Sequence, residues 1–185
     1  PEFLREGQAI EDFMNPDRIV IGYEDSKTKL ILKEIYKYWK CDKLFVNSRT
    51  AEMIKYANNS ILALQISAMN ELSNISSSIG QIDIDKVISG VHLDKRWNPF
   101  LKKKKRQKPE ILNYLIPGCG FGGSCFPKDL EALISIAKQK KIKSNLFKEV
   151  LNVNKNQPYE IIKILKQHTS NLNNKKFMVL GLSFK

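Results

Sequence analysis

"SRTAEMIKYANNSILALQISAMNELSNISSSIG", residues 48–80, carries the reading on which the architecture turns. It contains no proline, and its first glycine is Gly80. Apolar side chains recur in steps of three and four through Ile54, Ala57, Ile61, Leu64, Ala68, Leu72, Ile75 and Ile79. That spacing predicts a single helix with one apolar seam, about seven turns long. Ser48 or Thr50 is the expected cap, since either hydroxyl can accept from a free amide of the first turn. A helix this long is expected to run through the middle of a domain or along a subunit interface.

On the N-terminal side, "DRIVIG", residues 17–22, reads as a short buried strand. "SKTKLILKEIYKYW", residues 26–39, has helical periodicity with Leu30, Ile31, Ile35 and Tyr38 on one side. "KLFVN", residues 43–47, is extended. On the C-terminal side, "DIDKVISGV", residues 83–91, is a short helix with an acidic first turn. Residues 97–111, bounded by Pro99 and Pro109, read as a surface excursion. "PKDLEALISIAKQKK", residues 127–141, is a helix with Pro127 near its first position, where a missing N–H is harmless. "SNLFKEVLNVN" and "QPYEIIKILKQH", residues 144–154 and 157–168, are read as two further helices. "KKFMVLGLSFK", residues 175–185, has the apolar character of a parallel-sheet strand.

The chain has 185 residues, of which 42% are hydrophobic, so a core can form. No apolar run approaches the roughly 20 residues a membrane span needs, and residues 1–7 hold no apolar stretch of a secretory signal. There is no initiating Met, and both ends read as interior to a longer protein. Cys41, Cys119 and Cys125 form no disulfide framework, which points to a reducing, cytoplasmic setting. The formal net charge of +12 suits nucleic acid, an anionic membrane face or phosphorylated substrates. Much of it lies in "KKKKRQK", residues 102–108, and a solvated lysine-rich surface explains it with less. RNA-binding aromatic motifs, zinc-finger spacing and a basic zipper are absent, so neither nucleic acid nor a membrane is the expected partner.

The chemistry is expected in "GCGFGGSCFPKD", residues 118–129. Gly118, Gly120, Gly122 and Gly123 let the backbone turn sharply and approach a ligand. A helix starting near Pro127 aims its amides and positive dipole end at the preceding loop, which favours a thiolate at Cys125. Lys128 adds positive charge. Two readings stay open on these grounds: a nucleophilic cysteine on an elbow before a helix, or a buried cysteine in a tight turn. Zinc held by Cys119 and Cys125 fits their spacing poorly, and neither histidine is near.

"GFGGSCFPKD" resembles the active-site signature of the UDP-glucose/GDP-mannose dehydrogenase family. Residues 1–22 resemble the segment after that family's N-terminal NAD domain, residues 51–72 the first part of its long central helix, and "VLGLSFK" the first strand of its C-terminal nucleotide-sugar domain. The resemblance implies a mainly α chain: a helical central dimerisation domain built on one long helix, flanked by fragments of two α/β Rossmann-like domains. The implied boundaries are 1–47, 48–170 and 171–185. The implied activity is that of an NAD-dependent UDP-glucose 6-dehydrogenase, oxidising the C6 alcohol of a nucleotide sugar to the carboxylate with two NAD+. UDP-glucose is favoured over UDP-N-acetylmannosamine, UDP-N-acetylglucosamine and GDP-mannose. The implied assembly is a homodimer through the central helix.

The resemblance makes Cys125 the nucleophile, forming a thiohemiacetal and then a thioester. Lys55 and Asn59 match the family's pair on the central helix, and their i, i+4 spacing puts both on one face. By itself Lys55 is also an ordinary solvent-facing lysine. Asp129 matches an aspartate that orients a catalytic water, and it also suits a helix first turn by charge alone. Glu2 matches the general base of thioester hydrolysis. Glu6, Arg96, Tyr114, Leu115, Ile116, Pro117, Gly118, Gly122, Phe184 and Lys185 match substrate contacts, and Lys128 matches a residue near the NAD phosphates. Around Arg96 the chain reads Arg-Trp-Asn where the family often has "RIG", and about a dozen extra residues follow. Cys119 stands where proline is usual and reads as packing. No G-x-G-x-x-G strand-turn-helix is present. The chain is therefore expected to be the middle of a dehydrogenase, with the NAD domain before Pro1, and not to turn over alone. A non-catalytic helical dimerisation module is the alternative.

Overall fold

A computed structural model describes residues 1–101, 105–169 and 171–181. The expectations for Phe184, Lys185 and most of the lysine run lie outside the described residues. The chain forms two compact units, residues 1–58 and 59–185, and the division falls inside the long helix.

The first unit is a strand–helix–strand element with a short leader. Helix α1 (Ala9–Met14) precedes strand β1 (Arg18–Gly22), helix α2 (Ser26–Ile35), a 3-10 turn at Tyr36–Tyr38 and strand β2 (Asp42–Val46). The strands are parallel, in register from Arg18 opposite Asp42 to Gly22 opposite Val46. The β-branched run Ile19-Val20-Ile21 suits a buried strand, and Val20 and Ile21 are both buried. Asp25 caps α2 by accepting from the Thr28 amide at 2.9 Å. Past the 3-10 turn, the Trp39 indole N–H donates to the Phe13 carbonyl at 3.1 Å, with the two rings edge-on at 6.0 Å. Helix α3 (Ser48–Ile79) then begins against the end of β1. A Cβ at Gly22 would sit 3.0 Å from Ser48 Cα, so only glycine allows this approach without a shift.

The expected cap of α3 is corrected. Asn47, one residue ahead of Ser48 and three ahead of Thr50, accepts from the Thr50 amide at 2.8 Å. Asn caps as well as Ser does, and the helix simply starts earlier.

The second unit packs the rest of α3 with α4 (Ile84–His92), a 3-10 turn at Glu110–Tyr114, α5 (Cys125–Gln139) and α6 (Asn145–His168). Asp83 caps α4 through the Lys86 amide at 3.2 Å. One core cluster joins Ala63, Phe121, Leu130 and Val150; another joins Met69, Ile88, Leu112 and Leu115. The buried side of α3 here is not the apolar seam. Ser60, Ala63, Ser67, Met69 and Asn70 are buried, while Ile61, Leu72, Ile75 and Ile79 are exposed. Small side chains at 60, 63 and 67 let α6 come close enough for the Ser67 hydroxyl to donate to the Val150 carbonyl at 2.9 Å.

Two further expectations change. The two helices read for residues 144–168 are one helix, α6, with Pro158 inside it. Pro158 cannot donate to the Asn154 carbonyl. The helix continues because Asn154 and Gln157, on the turn before the proline, are tied by side-chain bonds to the glycine loop. The terminal strand does not form in residues 175–181, where Met178 and Leu180 are each 86% exposed. A strand needs a ladder partner, and among the described residues the sheet contains β1 and β2 alone. No helix of the described residues is long and apolar enough to cross a membrane.

Candidate active site

The glycine loop is held from behind by amide side chains. Asn70 of α3, fully buried, accepts from the Gly118 amide at 2.7 Å. Gln157 of α6 donates to the Gly118 carbonyl at 2.9 Å, and Asn74 donates to Gln157 at 3.2 Å. Asn154 accepts from the Phe121 amide at 2.7 Å and donates to the Phe121 carbonyl at 2.9 Å. Gly120 has φ +95°, and a Cβ there would collide with Asn154 Oδ1. This is why the loop needs glycine at that point: an unusual backbone and a side chain pressed against it coincide. His92 adds a ring-nitrogen contact to the Leu115 carbonyl at 3.1 Å. Sequence reading missed Asn70, Asn154, Gln157 and His92. A polar side chain on a helix reads as solvent-facing unless its partner is known.

Behind this brace the chain enters α5. Cys125 is the first helical residue itself, with Pro127 two positions further in. Its thiol is exposed, with the Ser124 hydroxyl 3.9 Å away. The buried-cysteine reading is thereby excluded. Cys119 is exposed too, which corrects its reading as packing: the backbone on either side of it is fixed by amide bonds, so its side chain is not needed in the core. One turn past Cys125, Asp129 is buried and accepts from Asn59 Nδ2 at 2.6 Å. Lys128 Nζ lies 3.9 Å from the other Asp129 oxygen, with most of its side chain exposed. The structure thus joins Asn59, Lys128 and Asp129 at the start of α5.

In the first unit, Lys55 Nζ lies 3.7 Å from Glu2 Oε2, with the Lys55 side chain only 24% exposed. A half-buried lysine beside an acceptor is held in place rather than waving in solvent. Glu6 is exposed. Arg96 is committed to a local pair: its Nε lies 3.0 Å from both Asp94 oxygens. Hydrogen bonds from the Arg96 side chain and backbone hold the Asp94 carboxyl down to about 2, and the same pair raises Arg96. An anionic ligand reaching Arg96 must compete with Asp94. Of residues 114–118, Leu115 is buried in the core while Ile116 is 49% exposed, and the Leu115 and Gly118 backbone groups are taken by His92, Asn70 and Gln157. Gly122 is exposed.

Residues 49–156 match the central domain of the UDP-glucose/GDP-mannose dehydrogenase family, and residues 1–40 match its NAD-binding domain. The chain belongs to this family. It is 42% identical over 186 residues to UDP-glucose 6-dehydrogenase YwqF of Bacillus subtilis, covering all of this chain and 39% of that protein. It is 41% identical to UDP-glucose 6-dehydrogenase of Rickettsia bellii, again over its whole length and 40% of the relative. Its fold superimposes on a UDP-glucose dehydrogenase from Pyrobaculum islandicum with TM-score 0.79 at 40% identity, over 93% of this chain and 37% of that one. The chain therefore spans about two-fifths of the length of these relatives.

The cofactor of the family's matched N-terminal domain is NAD. Within the described residues, the turn from β1 to α2 does not fit its pyrophosphate. Glu24 and Asp25 occupy that turn, and Asp25 already fills the helix N-terminus where a phosphate would bind. The Thr28 hydroxyl and amide hold the Asp25 carboxyl below its usual range, so it stays anionic there. Lys128 does fit an anionic group, by its charge and exposure. No group of three or more metal-ligating side chains occurs among the described residues.

Proposed function

We propose that this chain is the cysteine-bearing part of an NAD-dependent nucleotide-sugar 6-dehydrogenase that makes the uronate of a UDP-sugar, UDP-glucose first among them. The observation that carries the reading is the 2.6 Å bond from Asn59 to the buried Asp129, which ties the long helix to the turn bearing an exposed thiol. The UDP-glucose preference is supported by the names of relatives about 40% identical. The domain reading is an NAD-domain end at residues 1–47, a helical central domain at 48–170 and the start of a nucleotide-sugar domain at 171–185.

NAD+ supplies the hydride acceptor for both oxidations. Cys125 Sγ bonds to the C6 carbon of the intermediate aldehyde, giving a thiohemiacetal. After the second oxidation the acyl group sits on sulfur as a thioester, a covalent division of one hard step into easier ones. Water then attacks the thioester carbon, releasing the carboxylate and the free thiol. The Lys55 ammonium stabilises the oxyanion that develops on the sugar oxygen. Asn59 fixes one oxygen of Asp129, and the other, 3.9 Å from Lys128 Nζ, orients the water. Glu2, beside Lys55, takes the water's proton. Glu6, Arg96, the stretch Tyr114, Leu115, Ile116, Pro117 and Gly118, then Gly122, Phe184 and Lys185 contact the nucleotide sugar, and Lys128 faces the cofactor phosphates.

The chain alone is not expected to turn over, because its sequence holds no G-x-G-x-x-G strand-turn-helix for the dinucleotide. The protein is cytoplasmic, consistent with three unpaired thiols. It pairs with a second copy along α3, where Ile61, Leu72, Ile75 and Ile79 form an exposed apolar stripe. Sedimentation at micromolar concentration is expected to show a dimer, and a clean monomer contradicts the pairing. The activity is tested in a chimera in which this chain replaces the matching two-fifths of the Bacillus subtilis relative. NADH formation is followed with UDP-glucose, UDP-N-acetylmannosamine and GDP-mannose. UDP-glucose should be oxidised fastest; a chimera that folds, binds UDP-glucose and oxidises none of them contradicts the catalytic reading.

A further inference from the structure

We propose that Asn154, on α6, is a positioning residue for Cys125, acting through the backbone and ring of Phe121. The proposal rests on Cys125 being the nucleophile of the proposed function. Asn154 meets both polar backbone groups of one residue, accepting from the Phe121 N–H at 2.7 Å and donating to its C=O at 2.9 Å. The side-chain amide takes the place of a neighbouring strand, in a loop that has none. The contact demands Gly120, whose φ is +95° and where any Cβ would collide with Asn154 Oδ1.

Phe121 passes the constraint on. Its ring is buried with Ala63, Leu130 and Val150. It stands edge-on to Phe126, with centroids 5.8 Å apart and planes at 87°. Phe126 directly follows Cys125 in the first turn of α5. Fixing the Phe121 backbone therefore fixes the ring that seats Phe126, and with it the first turn of α5, which carries Cys125. Gln157 and Asn70 hold Gly118, three residues earlier, and set the loop's entry rather than its exit.

The test uses the 185-residue chain. Iodoacetamide labelling with mass mapping gives the rate at Cys125 relative to exposed Cys119, which lies in the same loop. Asn154→Ala should lower that ratio about tenfold, the scale set by two lost net hydrogen bonds. Asn154→Asp keeps an acceptor for the Phe121 N–H but no donor for its C=O, so it should recover part of the ratio. Gly120→Ala breaks the same contact from the other side, and the double variant Gly120→Ala/Asn154→Ala should lower the ratio no further than either single change. Parallel changes at Cys125 and Cys119 overturn the proposal, because loosening of the whole loop acts on both. An unchanged ratio in Asn154→Ala, with the Phe121 amide newly open to hydrogen exchange, overturns it as well. Should Asn154→Ala fail to fold, the Asn154→Asp ratio decides: a value equal to wild type contradicts the proposal. A reduced ratio in a chimera whose Cys125→Ser variant still makes the acid would leave the brace standing and remove the catalytic reading. The reverse pair of results would remove the brace alone.

Discussion

Leu30 and Leu130 occupy apolar positions on two amphipathic helices, α2 and α5, yet one is 67% exposed and the other fully buried. Both lie in stretches that the sequence reading made helical. In the strand–helix–strand unit, Leu30, Ile31 and Ile35 of α2 and Tyr38 of the 3-10 turn after it all stand more than half exposed. In the second unit, α5 and α6 close over Leu130 and Val150 beside a loop fixed by Asn70, Asn154 and Gln157. The difference shows that spacing announces a helix but not what covers it. In the second unit, polar side chains decide which apolar ones are sealed in.

The two leucines make the comparison measurable. Leu130→Ala should lower unfolding stability by about 2–5 kcal/mol, the range for emptying a buried leucine site. Leu30→Ala should stay within about 0.5 kcal/mol, as surface changes do. Chemical denaturation of each variant reads this, and equal losses would break the contrast. Gly120→Ala comes next, with an expected loss of about 1–3 kcal/mol from overpacking against Asn154. A loss at that site no larger than that of Leu30→Ala would show that the loop yields easily and is not braced.

The smallest expected effect is a pH dependence. Folding lowers the Asp94 carboxyl to about 2 through Arg96. A carboxylate depressed in the folded state contributes stability above its unfolded value of about 3.9, and that contribution disappears as pH falls through about 2. Arg96 is mostly exposed, so solvent screens the pair and the effect is small. Asp94→Asn should flatten the fall of the unfolding midpoint between pH 5 and pH 2. An unchanged slope would show that the pair does not form in solution.

Much of the chain was legible beforehand because its signals are local. The β-branched run of β1, the unbroken α3 and the acidic start of α4 each specify an element without reference to anything distant. The cap of α3 was misplaced because Asn47, Ser48 and Thr50 are all competent caps. The join within α6 was missed because Pro158 is a local breaker whose cost is offset by bonds to residues about 40 positions away. The buried side of α3 was missed for a related reason: Ser60, Ser67 and Asn70 carry no hydrophobic signal, and their burial depends on α6 and the glycine loop. Around Cys125, the loop, the helix after it and Asp129 could be picked out in the sequence. The amides that hold the loop could not.

The central claim is that Cys125 is a covalent nucleophile, and Cys125→Ser in the Bacillus subtilis chimera tests it most directly. Two rates are measured: NADH formed from UDP-glucose, and NADH consumed with the corresponding aldehyde. The first oxidation needs no thiol, whereas the second needs an adduct that serine forms poorly at neutral pH. Overall turnover should fall by several orders of magnitude, while reduction of the aldehyde to the alcohol persists. Acid formation at near the parent chimera's rate would contradict the account and leave the glycine loop as a binding turn that contains a cysteine.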